Sequence, residues 1–141
     1  MKRRLSLLIL ILFILNSCTN IDEPYWGLSA TFTNDGQTLF GTEDQFGMMK
    51  MNGESDEPEF PVGKGRQYKL YFLDNNKNLT GKKYKMIGTH KDSGETMELY
   101  QHEIMSMQSE AKFGLDQKGL WKIDIFIDDE EYSSFVVEAR S

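Results

Sequence analysis

The chain has one cysteine, two histidines and three prolines in 141 residues. A single thiol excludes an intrachain disulfide and every Cys-based zinc set. No apolar run reaches the roughly 18 residues that a membrane-spanning helix needs. Also missing are a Gly-rich phosphate loop, a nucleophile elbow and any window of helical length with a clean 3.6-residue apolar repeat. A nucleophile, base and orienting group would have to be drawn from two imidazoles and scattered carboxylates, so no catalytic residues are assigned and an enzyme is not expected. Positive charge is scarce as well, with 16 Lys and Arg against 22 Asp and Glu. Nucleic acid is a poor partner for such a chain.

What is present begins at the N-terminus. Lys2, Arg3 and Arg4 precede an apolar stretch from Leu5 to Leu15, and Leu15-Asn16-Ser17-Cys18 follows at once. As a helix that stretch spans about 16 Å, against a hydrocarbon layer of about 30 Å, so it reads as an export signal and not as a span. The small residue ahead of the sole cysteine matches the acylation site of a bacterial lipoprotein, with Asn16 less typical than Ala, Ser or Thr. The expectation is cleavage before Cys18, a diacylglyceryl thioether on its sulfur and a further acyl chain on its amine. Two or more chains give stable anchoring, at about 0.8 kcal/mol per buried CH2. This predicts a signal peptide at 1–17, a lipidated tether at 18–24 and one domain at 25–141 on the extracytoplasmic side of the cell membrane. Loss of the three N-terminal positives leaves 13 basic against 22 acidic residues, a charge of −9.

From Tyr25 onward, short β-rich runs alternate with turn residues, which predicts an all-β sandwich. Seven strands are expected: Leu28 to Thr33, Gly47 to Met51, Tyr68 to Leu73, Lys83 to His90, Glu95 to Ile104, Leu120 to Ile127 and Tyr132 to Glu138. The last two form a hairpin across Asp128 to Glu131. In the first of them Trp121, Ile123, Ile125 and Ile127 share one face, destined for the core, and Phe126 interrupts the polar face opposite. A second hairpin closes at Gly94, which places His90 across from Glu95. The segment Met105 to Gln117 has no clear assignment, and Met51 to Tyr68 reads as a long acidic loop.

Several motifs invite chemistry. His90 and His102 fall too far apart to meet and read as surface histidines, so no metal and no cofactor is assigned. Asp74-Asn75-Asn76-Lys77-Asn78 opens like a calcium loop, but Leu79 replaces the required glycine and Lys85 the bidentate glutamate. Asx turns account for it. The methionine pairs Met49 and Met51, and Met105 and Met107, offer thioethers to a soft metal or to a core, and the core is favoured.

Four segments carry a resemblance: Phe40-Gly-Thr-Glu-Asp-Gln-Phe-Gly47, Gly88-Thr-His-Lys-Asp-Ser-Gly-Glu95, Gly119-Leu-Trp-Lys-Ile-Asp-Ile-Phe-Ile127 and Phe135-Val-Val-Glu138. Together they resemble a family of small lipoproteins from Bacillus-type Gram-positive bacteria that has no assigned biochemical function. The resemblance runs from about Phe40 to Glu138 and implies an immunoglobulin-like β-sandwich. Gly119-Leu-Trp121, opening a late strand, also resembles bacterial immunoglobulin-like modules, without the cysteine pair of antibody domains. It implies no activity.

The expected function is that of a non-catalytic module, tethered through lipid on Cys18, that binds an envelope or secreted protein. Its candidate binding residues are Tyr71, Tyr100 and Phe126, as exposed aromatics, and Glu54, Asp56, Glu57 and Glu59 in the acidic loop. The alternative is a lipoprotein that holds a metal or small solute through Met, His or acidic-loop ligands.

Overall fold

The computed structural model describes residues 25–141. Nine strands run β1 Phe32–Asn34, β2 Gln37–Thr42, β3 Phe46–Lys50, β4 Arg66–Phe72, β5 Lys83–His90, β6 Thr96–Glu103, β7 Gln108–Phe113, β8 Gly119–Ile127 and β9 Glu130–Ala139. They form two antiparallel sheets, ordered β1-β2-β3-β4-β7 and β6-β5-β8-β9, so the all-β sandwich holds with nine strands in place of about seven. The signal at 1–17 and the tether at 18–24, with Cys18, lie outside the described residues.

Period-two alternation builds the core. Along β8, Trp121, Ile123, Ile125 and Ile127 are buried, and Lys122, Asp124 and Phe126 lie on the half-buried outer face. Register places Tyr84 beside Ile127, Met86 beside Ile125 and His90 beside Trp121 on β5, so equivalent faces line up across the sheet. Opposite them, β4 contributes Tyr68, Leu70 and Phe72. Trp121 is wholly enclosed and its indole N–H donates to the Gln117 carbonyl at 2.9 Å, which satisfies the one polar atom it takes inside.

Three strands differ from the sequence expectation, and one of them, β2, falls where no strand was expected. The first expected strand, Leu28 to Thr33, splits: Ser29 bonds to β9 through Ser29 N–H to the Val136 carbonyl at 3.1 Å, and β1 proper starts at Phe32 on the other sheet. The unassigned stretch after Met105 contains β7, which completes the first sheet against β4. Its pattern is weak because only Ala111 and Phe113 are buried among charged neighbours.

The sandwich is closed where the edges meet. Thr42 and Ser133 hydroxyls bond at 3.1 Å and the Tyr132 hydroxyl donates to the Gln45 carbonyl at 2.6 Å, tying the end of β2 and the β2–β3 turn to β9. Outside the main core, Leu39 is fully buried over Gly47, where a Cβ would lie 2.6 Å from Leu39 Cδ1 and 3.0 Å from the Phe32 ring. Gly47 is therefore a packing glycine.

Two substitutions test this reading in opposite directions. Gly47→Ala should destabilise by about 1–3 kcal/mol through overpacking. In the two-residue β8–β9 turn, Asp128 and Asp129 have φ of 47° and 66°. Asp129→Gly should stabilise by up to about 1 kcal/mol by relieving a left-handed residue. Urea midpoints moving down for the first and up for the second are the expected result.

Candidate functional site

The acidic loop between β3 and β4 spans residues 51–65 and is pinned along its length. Met51 N–H donates to the Gln67 carbonyl at 2.8 Å, and Gln67 N–H donates to Asn52 Oδ1 at 2.8 Å. Further on, Phe60 enters the core, stacked on Tyr68 with ring centroids 5.5 Å apart, and the Tyr68 hydroxyl donates to the Glu59 carbonyl at 2.9 Å. Burial raises the Tyr68 pKa, so the hydroxyl keeps its proton to donate. Val62 N–H then donates to the Arg140 carbonyl at 2.8 Å, fastening the loop's end to the C-terminus.

Glu57 is the latch in the middle. Arg66 grips its carboxylate with two bonds, Nε to Oε1 at 2.8 Å and Nη2 to Oε2 at 2.9 Å, and Lys50 Nζ lies 3.2 Å from Oε1. The same Oε1 accepts Glu54 N–H at 3.0 Å. The Glu57 side chain is 9% exposed. Its pKa is lowered to about 2, chiefly by the Arg66 hydrogen bonds and further by Lys50, against the opposing cost of burial. Gly53 makes room for this carboxylate: a Cβ there would sit 1.7 Å from Glu57 Oε1, and its φ of +96° suits glycine alone. Of the four expected acidic contacts, Glu57 is thus spent within the fold, whereas Glu54, Asp56 and Glu59 remain exposed.

The three expected aromatics do not converge. Tyr71 lies on the outer face of the first sheet, where its hydroxyl donates to Gln37 Oε1 at 3.1 Å. Phe126 lies on the outer face of the second, half-buried and paired with Lys85 and Glu131. Tyr100 packs partly against the core on β6. Beside Tyr100 is His102, with near-parallel rings 6.3 Å apart, and His102 and Glu103 line a cleft of about 300 Å3 at the seam of the sheets and another of about 250 Å3 over β5 and β6. The larger cleft also takes in Lys69, Met105, Ser109 and Glu110. Within the seam the Tyr84 hydroxyl bonds Ser109 Oγ at 2.7 Å, and burial pushes the Tyr84 pKa up to about 12, which leaves a neutral phenol.

His90 corrects an expectation. It is 4% exposed, against the surface position expected from sequence, and its ring lies tilted against Trp121 with centroids 5.0 Å apart. Ser93 N–H donates to Nδ1 at 3.2 Å, so Nε2 bears the proton and donates to the Lys118 carbonyl at 2.8 Å. Nδ1 thus braces the turn that Gly94 closes, and Nε2 ties that turn to the β7–β8 connection. His102 sits opposite Tyr84, six residues from His90 along the hairpin, or roughly 20 Å. Among the described residues no group of three or more His, Cys, Asp or Glu side chains is placed to hold a metal. Asp74 Oδ1 accepts Asn76 N–H at 3.0 Å and Asn78 Oδ1 accepts Thr80 N–H at 3.2 Å, the Asx turns expected of that segment. The Met107 sulfur accepts Leu79 N–H at 3.3 Å, while Met51 and Met105 are exposed.

No protein-family model and no curated protein matches the chain. Among solved structures it is similar to the X-ray structure of a "putative lipoprotein" from Bacillus anthracis, with a TM-score of 0.67 and 20% identity over 84% of this chain and 89% of that one. At that identity the likeness establishes a shared fold.

Glu57 gives a pH test. A carboxylate whose folded pKa is depressed contributes stability that is complete above its ordinary value of 4.5 and is lost as the pH falls toward about 2. Wild type should therefore be more stable than Glu57→Gln at pH 7, with the gap narrowing between pH 4.5 and 2. A gap that stays constant over that range would show that the latch does not act through its charge.

Proposed function

We propose that the chain is a lipid-anchored, non-catalytic binding module that presents the loop 54–65 to a basic surface on an envelope or secreted protein. The observation that carries this reading is the pinned acidic loop. Fifteen residues without strand structure would ordinarily be mobile, yet Glu57, Phe60, Val62 and the Tyr68 hydroxyl hold this loop at four separate points. Three exposed carboxylates, Glu54, Asp56 and Glu59, are thereby displayed on a backbone that is already ordered, which removes much of the ordering cost of binding. The charge balance of the mature chain agrees with a basic partner and gives steering over distance.

The connectivity supports an immunoglobulin-like module. β4 lies beside β7 in one sheet and β5 beside β8 in the other, so the chain crosses between sheets after β4, after β6 and again after β7. That interlock, with β9 following β8 as a hairpin, is the pattern such sandwiches share. The Bacillus anthracis structure described as a "putative lipoprotein" shares the fold, which agrees with reading this chain as a lipoprotein. A metal- or solute-holding role gains little here, because His90 and Met107 are already bonded within the fold.

Two experiments test the proposal. Cys18→Ala should release the protein from washed membranes, and a mutant that stays there would overturn the anchor. Crosslinking in intact cells should capture a partner that is lost from the triple variant Glu54→Lys, Asp56→Lys, Glu59→Lys, in which the Glu57 latch is kept. Unaltered capture by the triple variant would remove the loop from the interface.

A further inference from the structure

The N-terminal end of the domain carries a second surface of opposite character. From Pro24 to Asn34 no residue is charged, in a chain where 27% of residues are. Tyr25 is 87% exposed and Leu28 56% exposed, with Trp26 half-buried between them. The segment has a fixed seat. Ser29 N–H donates to the Val136 carbonyl at 3.1 Å and Val136 N–H donates to Ser29 Oγ at 2.9 Å, which staples it to β9. A shallow cleft there is lined by Tyr25, Gly27, Ser29, Lys122 and Ser134, so the nearest ionised group in its wall is a lysine.

We propose that Tyr25, Trp26 and Leu28 form a membrane-contact strip that seats in the interfacial layer of the bilayer into which the lipid on Cys18 inserts. The proposal rests on the anchor reading above. Its occupant follows from reach and chemistry. Tyr25 follows Cys18 by seven positions, and at no more than about 3.6 Å per residue it stays within about 25 Å of the Cys18 backbone. Tyr and Trp partition to the membrane interface because their rings are apolar at one end and hydrogen-bonding at the other, and Leu28 adds apolar area. Absence of carboxylates along Pro24 to Asn34 avoids both desolvation cost and repulsion from anionic headgroups, which the remainder of the acidic domain would suffer. The strip would hold the domain in one orientation on the membrane, with β9 toward it.

The two tryptophans make the test direct, since Trp121 is fully enclosed and only Trp26 is placed to meet a quencher. The full-length protein is purified from membranes in detergent and reconstituted into vesicles of phosphatidylcholine and phosphatidylglycerol brominated near the headgroup end of the acyl chains. Loss of Trp26 emission is expected, absent in Trp26→Phe and reduced in Tyr25→Ser, Leu28→Ser. Full Trp26 emission, with ready quenching by aqueous acrylamide in the vesicles, would overturn the strip while leaving the anchor intact. Shielding of Trp26 that depends on protein concentration and not on vesicles would overturn it in favour of a second copy of the chain. If the protein is missing from washed membranes and Cys18→Ala changes nothing, the anchor itself fails and the strip with it.

Discussion

No covalent bridge joins the two sheets, so the structure depends on apolar contact between the inward rows of β4 and β8. Tyr68, Leu70 and Phe72 on one side meet Trp121, Ile123 and Ile125 on the other, each row reinforced by its neighbours Met48 and Met86. Losing one large aromatic from such a core typically costs about 3–5 kcal/mol, a large share of what a domain of this size has to spare. The chain crossings after β4, after β6 and after β7 lock these rows in place. Because the β4–β7 and β5–β8 pairings join strands distant in sequence, neither sheet can be completed from consecutive hairpins alone.

Once that core is in place, the loop 51–65 can be ordered at little further expense. Phe60 reaches the core beside Tyr68, and the polar fastenings around it use side chains that already belong to the sheet, Lys50, Arg66 and Gln67. A carboxylate so nearly enclosed would be costly alone, but Glu57 receives two bonds from one guanidinium and faces a lysine as well. The acidic run therefore divides by role: one carboxylate holds the loop and the exposed ones are left for whatever approaches it.

How much of this was legible in the sequence follows from which signals are local. β8 could be read from four alternating apolar residues, and the β5–β6 hairpin from Gly94, since both depend on neighbours in the chain. The β1–β2 hairpin was missed although Asp35-Gly36 marks its turn, because Phe32 and Leu39 pack in a satellite cluster and the flanking pattern is short. β7 escaped because half its inward face is a single alanine opposite Tyr68. Neither the burial of His90 nor the latching of Glu57 has a local signature, since Lys118 and Arg66 reach them from separate elements. Tyr71, Tyr100 and Phe126 looked alike in sequence and were dispersed to three surfaces by the fold.

The two surfaces singled out here differ in charge, and the difference fits a tethered module. An acidic protein beside an anionic membrane is repelled over roughly a Debye length, about 8 Å at physiological salt, so its carboxylates tend to face away from the bilayer. The segment Pro24 to Asn34 carries no charge and lacks that repulsion. Orientation would then follow from charge distribution together with the staple at Ser29, without a dedicated membrane-binding element.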